Sequence, residues 1–135
     1  MSNFQRAAGF DNAGAIAYIV DIMGEGLGGF EQAVLLALVR LGAGAYGRTV
    51  LGEVEARLGR TVARGAVYAT LERLEKKGMI RSRLEAGGEA RGGRARRSYQ
   101  VTGAGAEALN QARAALEQLW GGVSWPVAAP AGRRG

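Results

Sequence analysis

GMIRSRLEAGGEARGGRARRSYQVT, residues 78–102, is where the period of the chain changes from helical to alternating. Ile80, Ser82 and Leu84 fall on one face, with Arg81 and Arg83 on the other. Further on, Tyr99 and Val101 point inward while Arg96, Ser98 and Gln100 point outward. Alternation with period two marks strands, and two such runs joined by the polar, glycine-rich AGGEARGG predict a β-hairpin with a long flexible tip. Arg91, Arg94, Arg96 and Arg97 crowd the second half of that hairpin. Their mutual repulsion calls for an anionic partner.

Upstream of the hairpin the pattern is helical three times over. FEQAVLLALVRLG, residues 30–42, spaces Phe30, Val34, Leu38 and Leu41 three or four apart, widens that face with Leu35, and meets a C-terminal cap at Gly42. After the AGAYG turn a second helix is expected over 48–58, burying Val50 or Leu51, Val54 and Leu58 and stopping at Gly59. The third is expected over 63–77, with Val67, Leu71 and Leu74 inward. Glu72, Arg73, Glu75, Lys76 and Lys77 lie outward, and Gly78 terminates it. Before these, Asp11 or Asn12 is positioned to cap a short helix over 13–23 whose stripe is Ile16, Ile19, Val20 and Met23. Downstream, Thr102 caps a last helix over 103–120 with a stripe of Ala106, Leu109, Ala112 or Arg113, Leu116, and Leu119 or Trp120.

The order helix, helix, helix, hairpin, helix predicts a mainly α chain with a small β-hairpin: a winged helix-turn-helix followed by a C-terminal dimerisation helix. Its expected parts are an N-terminal extension over 1–26, the DNA-binding domain over 27–102, the dimerisation helix over 103–120 and a flexible tail over 121–135. The 135 residues suffice for one core. A helix that is apolar along its length at the end of such a chain has more apolar surface than a three-helix core covers. Ile16, Ile19, Val20, Leu109, Leu116, Leu119 and Trp120 are therefore expected at an isologous interface with a second copy. Trp120 either lines a ligand cavity between the two halves or closes the seam at the helix end.

Charge is uneven. The chain carries 18 basic and 12 acidic residues, and 13 of the basic against six of the acidic ones fall between Arg48 and Arg97. The third helix and the hairpin thus hold the positive charge, as a duplex-binding face does. A helix fits the major groove, where the residues of its first turns reach base edges. Arg60, Thr61, Arg64, Gly65 and Tyr68 sit at that start, with Arg73 further along as a second-rank candidate or a plain solvent arginine. Arg91, Arg94, Arg96 and Arg97 suit the sugar-phosphate backbone, where displaced counterions make binding salt-dependent. Tyr68 and Tyr99 are equally consistent with core or seam positions.

Other classes find little support. With no histidine and no cysteine, the usual acid–base, covalent and thiolate-metal constellations are missing, so neither an enzyme nor a metal or other cofactor is expected. No apolar run reaches the roughly 20 residues of a membrane span. The N-terminus lacks signal-peptide features, and a cysteine-free chain fits the cytoplasm. The competing reading is a winged helix that binds another protein and no DNA. An RNA-binding role would require exposed stacking aromatics that the hairpin does not offer.

FEQAVLLALVRLGAGAYG, GAVYATLERLEKKGMI and GGRARRSYQVTGAG, taken together, resemble the PadR family of bacterial transcriptional regulators. The block Tyr68, Leu71, Arg73, Leu74, Glu75, Gly78 and Ile80 carries the likeness together with the arginine-rich wing, and it spans about residues 27–120. The resemblance implies a homodimeric repressor on inverted-repeat operators, often released by a small aromatic or lipophilic effector. It also implies a recognition helix at 63–77, with Gly65 and Tyr68 at its start and Arg94, Arg96 and Arg97 in the wing. Ala63 stands where the family commonly has a capping serine, and residues 1–22 precede the usual family start.

Overall fold

The structure is a computed structural model and describes residues 27–131. The helix expected over 13–23, with Ile16, Ile19 and Val20, lies outside the described residues. Within them the order is α1 (Gly29–Leu41), α2 (Gly47–Leu58), α3 (Arg64–Lys76), β1 (Ile80–Glu85), β2 (Arg96–Val101) and α4 (Gly103–Trp120), with short 3-10 turns at Gly42–Gly44 and Glu89–Arg91. This is the winged helix-turn-helix architecture that the change of period indicated, closed by a C-terminal helix.

Each helix begins and ends for a local reason. The Glu31 carboxylate accepts the Gly28 N–H at 3.1 Å and caps α1. Thr49 does the same for α2, accepting the Tyr46 N–H at 2.9 Å while its hydroxyl donates to the Gly44 carbonyl at 2.6 Å. At α3 the cap position is Ala63, which has no side chain to offer, and the helix starts at Arg64. Glu55 of α2 accepts the Val62 N–H at 2.9 Å and fixes the approach to the helix. Gly59 and Gly78 take positive φ values of 68° and 76°, turning the chain out of α2 and α3 as only glycine does without strain.

The core is one cluster. Val34, Leu35 and Leu38 of α1 meet Val50 and Val54 of α2, Val67, Leu71 and Leu74 of α3, and Ile80 at the root of the hairpin. Each such side chain contributes about 1.5–3 kcal/mol on leaving water. Two expected core positions are not in it. Leu58 is exposed because α2 reaches its last turn beyond the bundle, and Leu84, 60% exposed, lies four residues up a hairpin that has left the core behind. Phe30 and Leu41 are only half-buried, at the rim.

The hairpin is antiparallel, with register Ile80↔Val101, Ser82↔Tyr99 and Glu85↔Arg96. The turn before α2 adds a third edge: Tyr46 bridges Ser98, and the Tyr99 N–H donates to the Ala45 carbonyl at 2.9 Å. The tip, expected to be a loose loop, is a wound turn. Gly92 donates to Glu89, Gly93 to Gly88 and Arg94 to Arg91, all through the backbone. α4 spans the length that the Thr102 cap and the stripe marked out. Thr102 accepts the Gly105 N–H at 3.1 Å and donates to the Gly78 carbonyl at 2.7 Å. The inward face of α4 is made of small residues; Leu109 is half-buried against the core, and the larger residues of the second half turn outward. Gly105, Ala112 and Ala115 are buried, whereas Ala106 is exposed and Leu116, Leu119 and Trp120 are 51%, 53% and 37% exposed. The small residues face inward because α4 lies close on the hairpin root: a Cβ at Gly105 would stand 2.1 Å from the Met79 carbonyl oxygen.

Glu31 links the two ends of the bundle. Besides capping α1 it accepts from Lys77 at 3.0 Å and Arg73 at 3.2 Å, both at the end of α3. Burial pushes its carboxyl up, but the Gly28 N–H, Lys77 and Arg73 together outweigh that and hold it below the usual carboxylate value. The folded state therefore prefers the ionised form. Its contribution is complete above the ordinary value of 4.5 and lost as pH falls through the lower folded value. We expect Glu31→Gln to cost about 1–3 kcal/mol in urea unfolding at neutral pH. The gap from wild type should narrow as pH drops below about 4.5; a gap constant down to about pH 3 contradicts this assignment.

Candidate nucleic-acid interface

α3 buries Val67, Thr70, Leu71 and Leu74 and leaves its other side free. Its first turns face a groove of about 630 Å³ whose far wall is the wing. Arg64 and Tyr68 line it from α3, Arg48 and Thr49 from the start of α2, and Arg91, Arg94, Arg96 and Arg97 from the hairpin. None of the residues lining it is acidic. Six guanidinium-bearing residues thus surround one concavity bounded by a helix and a wing, which concentrates positive potential there.

The floor of this groove depends on glycine. Tyr68 lies against Gly47, where a Cβ would come within 2.1 Å of the phenol oxygen. Tyr68 itself is 40% exposed, so its ring edge remains available. Tyr99 lies behind it, half-buried. Burial pushes its phenol up, Tyr68 and Glu75 add to the effect and Arg97 opposes it, so the group stays neutral at ordinary pH.

The wing arginines differ in their attachments. Arg91 donates to the Ala86 carbonyl, and Arg91 and Arg94 each donate through Nε to the other's carbonyl, so both side chains brace the tip. Arg97 donates to Ser82 Oγ at 3.0 Å, and Ser82 in turn is held by Glu75 of α3. Arg96 is on the opposite face of the hairpin from Arg97 and, far from pointing into solvent, lies over the Tyr46 ring with its guanidinium carbon 3.6 Å from the centroid.

Of the residues expected at a DNA-binding face, Arg64, Tyr68, Arg91, Arg94, Arg96 and Arg97 are brought to this groove. Arg60, Thr61 and Gly65 are exposed at or just before the start of α3 but do not line it. Arg73 is set apart: bonded to Glu31 and to Thr70 at 3.3 Å, it serves the link between α3 and α1. Tyr46, Arg48 and Thr49 line the groove without having been expected there. The one signal available was for Arg48, a basic residue in the first turn of the helix preceding the recognition helix, where a positive helix end and a positive side chain coincide.

Among the described residues no group of side chains is arranged to hold a metal ion, and no helix is long and apolar enough to cross a membrane. A helix with a free basic start beside an arginine-lined wing defines a DNA-binding winged-helix protein. The sequence signature described as the transcriptional regulator PadR-like family matches residues 35–111, and the chain belongs to that family. That family is one of transcriptional regulators.

Among curated proteins, it is similar to the transcriptional regulator Rv3488 of Mycobacterium tuberculosis, 44% identical over 63 residues. That match covers 47% of this chain and 55% of the relative, so the chain spans about half the length of the curated protein. Among solved structures, a PadR-like transcription factor from Bacteroides fragilis superposes with TM-score 0.56 at 20% identity, covering 81% of this chain and 92% of that one. A PadR family regulator from Eggerthella lenta gives 0.53 at 27% identity, with 80% and 93% covered. A PadR-like regulator from Bacillus cereus gives 0.52 at 24%, with 75% and 85% covered.

Proposed function

We propose that the chain is a cytoplasmic repressor that binds an inverted-repeat operator as a homodimer and is released by a small lipophilic or aromatic ligand. The observation that carries the DNA-binding part is the groove itself, in which Arg64 and Tyr68 of α3 face Arg94 and Arg97 of the wing. Arg64 reaches base edges or nearby phosphates in the major groove; Gly65 and the residues Arg60 and Thr61 ahead of it follow the backbone. Arg91, Arg94 and Arg97 neutralise phosphates beside it and fix register without reading sequence.

The dimer rests on α4. Leu116, Leu119 and Trp120 form an apolar stripe left open along its second half, and Leu36 and Val39 of α1 are exposed as well. Covering such a stripe with its symmetry mate removes the cost of wetting it and places two recognition helices about 34 Å apart, one duplex turn. Trp120, at the end of that stripe, lines the effector cavity between the halves.

Two outcomes are expected. In footprinting and salt titration on DNA upstream of the protein's own gene, Arg64→Ala loses about ten- to hundredfold of the preference for operator over random DNA. Arg94→Ala weakens both alike and lowers the slope of log affinity against log salt by about one unit. Equal loss of discrimination in the two variants contradicts these roles. In sedimentation, the wild type runs at twice the chain mass and Leu119→Asp at the chain mass. A monomeric wild type refutes the dimer.

A further inference from the structure

We propose that Tyr46, Glu85 and Arg96 form a latch that sets the angle of the wing against the recognition helix, so that Arg96 serves DNA binding by position and not by contact with phosphate. This rests on the DNA-binding reading above, and deepens it by separating one wing arginine from the others.

Four contacts join the three side chains. The Arg96 guanidinium carbon lies 3.6 Å from the centre of the Tyr46 ring. Its Nη2 donates to the Tyr46 hydroxyl at 2.8 Å, and that hydroxyl donates to Glu85 Oε1 at 3.2 Å. Glu85 Oε1 also stands 3.7 Å from Arg96 Nε, and the two residues are direct partners across the hairpin. Arg96 Nε is buried and without a hydrogen-bond partner. A guanidinium stacked on a ring, bonded at one end and desolvated at Nε is poorly placed to swing toward a backbone phosphate. Stacking on a tyrosine face also uses the planar, delocalised charge that lysine lacks.

The position of Tyr46 makes the cluster mechanically useful. Tyr46 immediately precedes α2, where its N–H is held by Thr49, and its neighbour Ala45 accepts the Tyr99 N–H. One residue therefore touches the helix that packs beneath α3 and both strands of the wing. The backbone bridge at Tyr46–Ser98 is a single pair, too short to fix the hairpin's direction alone. Side chains reaching the far end of β1 and the near end of β2 supply the missing constraint. Arg94 and Arg97, whose partners are loop carbonyls and a serine hydroxyl, keep guanidinium donors for the duplex.

The test uses the full chain and a labelled mixed-sequence duplex several turns long, with affinity measured against salt. Arg96→Ala and Tyr46→Leu should each weaken binding about tenfold while leaving the salt slope at its wild-type value; the double variant should be no weaker than either single one. Arg96→Lys, which keeps the charge, should fail to restore affinity, whereas Tyr46→Phe, which keeps the ring, should retain most of it. A slope lowered by about one unit in Arg96→Ala, with full recovery in Arg96→Lys, makes Arg96 a phosphate contact and overturns the proposal. Independently of DNA, the Arg96 side-chain protons should show ring-current-shifted NMR resonances that vanish in Tyr46→Leu. Unshifted resonances in the wild type refute the latch. Shifted resonances in a protein that binds no duplex refute the DNA-binding reading and leave the latch standing.

Discussion

Arg48, Arg64, Arg91, Arg94, Arg96 and Arg97 repel one another around a single groove, and no carboxylate lines it to relieve them. The fold must supply the force that keeps them together. It does so with the buried side of α3, the Ala45–Tyr99 backbone hydrogen bond, and the carboxylates Glu75 and Glu85 set behind the wing. Water and salt lower the repulsion at an exposed tip, and a phosphate backbone replaces it with attraction. A surface arranged in this way is more comfortable with an anionic partner than without one.

α4 is joined to the same groove through the wing. It begins one residue after β2, and Thr102 ties that junction to Gly78 at the end of α3. The close approach at Gly105 leaves no room for α4 to slide over Met79. Whatever covers the outer stripe of α4 therefore bears on the recognition helix and the wing through a short, stiff connection.

Much of this was legible in the residues. Period and glycine stops gave α1, α2 and α3; alternation gave the hairpin; Thr102 gave the start of α4. What escaped has physical reasons. Arg73 and Glu31 are 42 positions apart, and Arg96 and Tyr46 are 50 apart, so no local pattern couples them. AGAYG has no periodicity, and it read as a turn when it also forms the third edge of the hairpin. The small-residue face of α4 escaped notice beside its leucine stripe, because only the close approach to Met79 shows that glycine and alanines turn inward. Leu58 and Leu84 fit their periods but lie past the end of the core.

The central claim is that the face formed by the start of α3 and the wing, with the groove between them, meets the duplex backbone. Because the chain has no cysteine, a cleaving group can be attached at one chosen site. An iron–EDTA group tethered through Ala95→Cys, within the groove, should cut bound duplex in a short, phased window on each strand. The same group at Val39→Cys, on exposed α1 away from that groove, should leave the duplex intact. Cutting from Val39→Cys with none from Ala95→Cys would contradict the account.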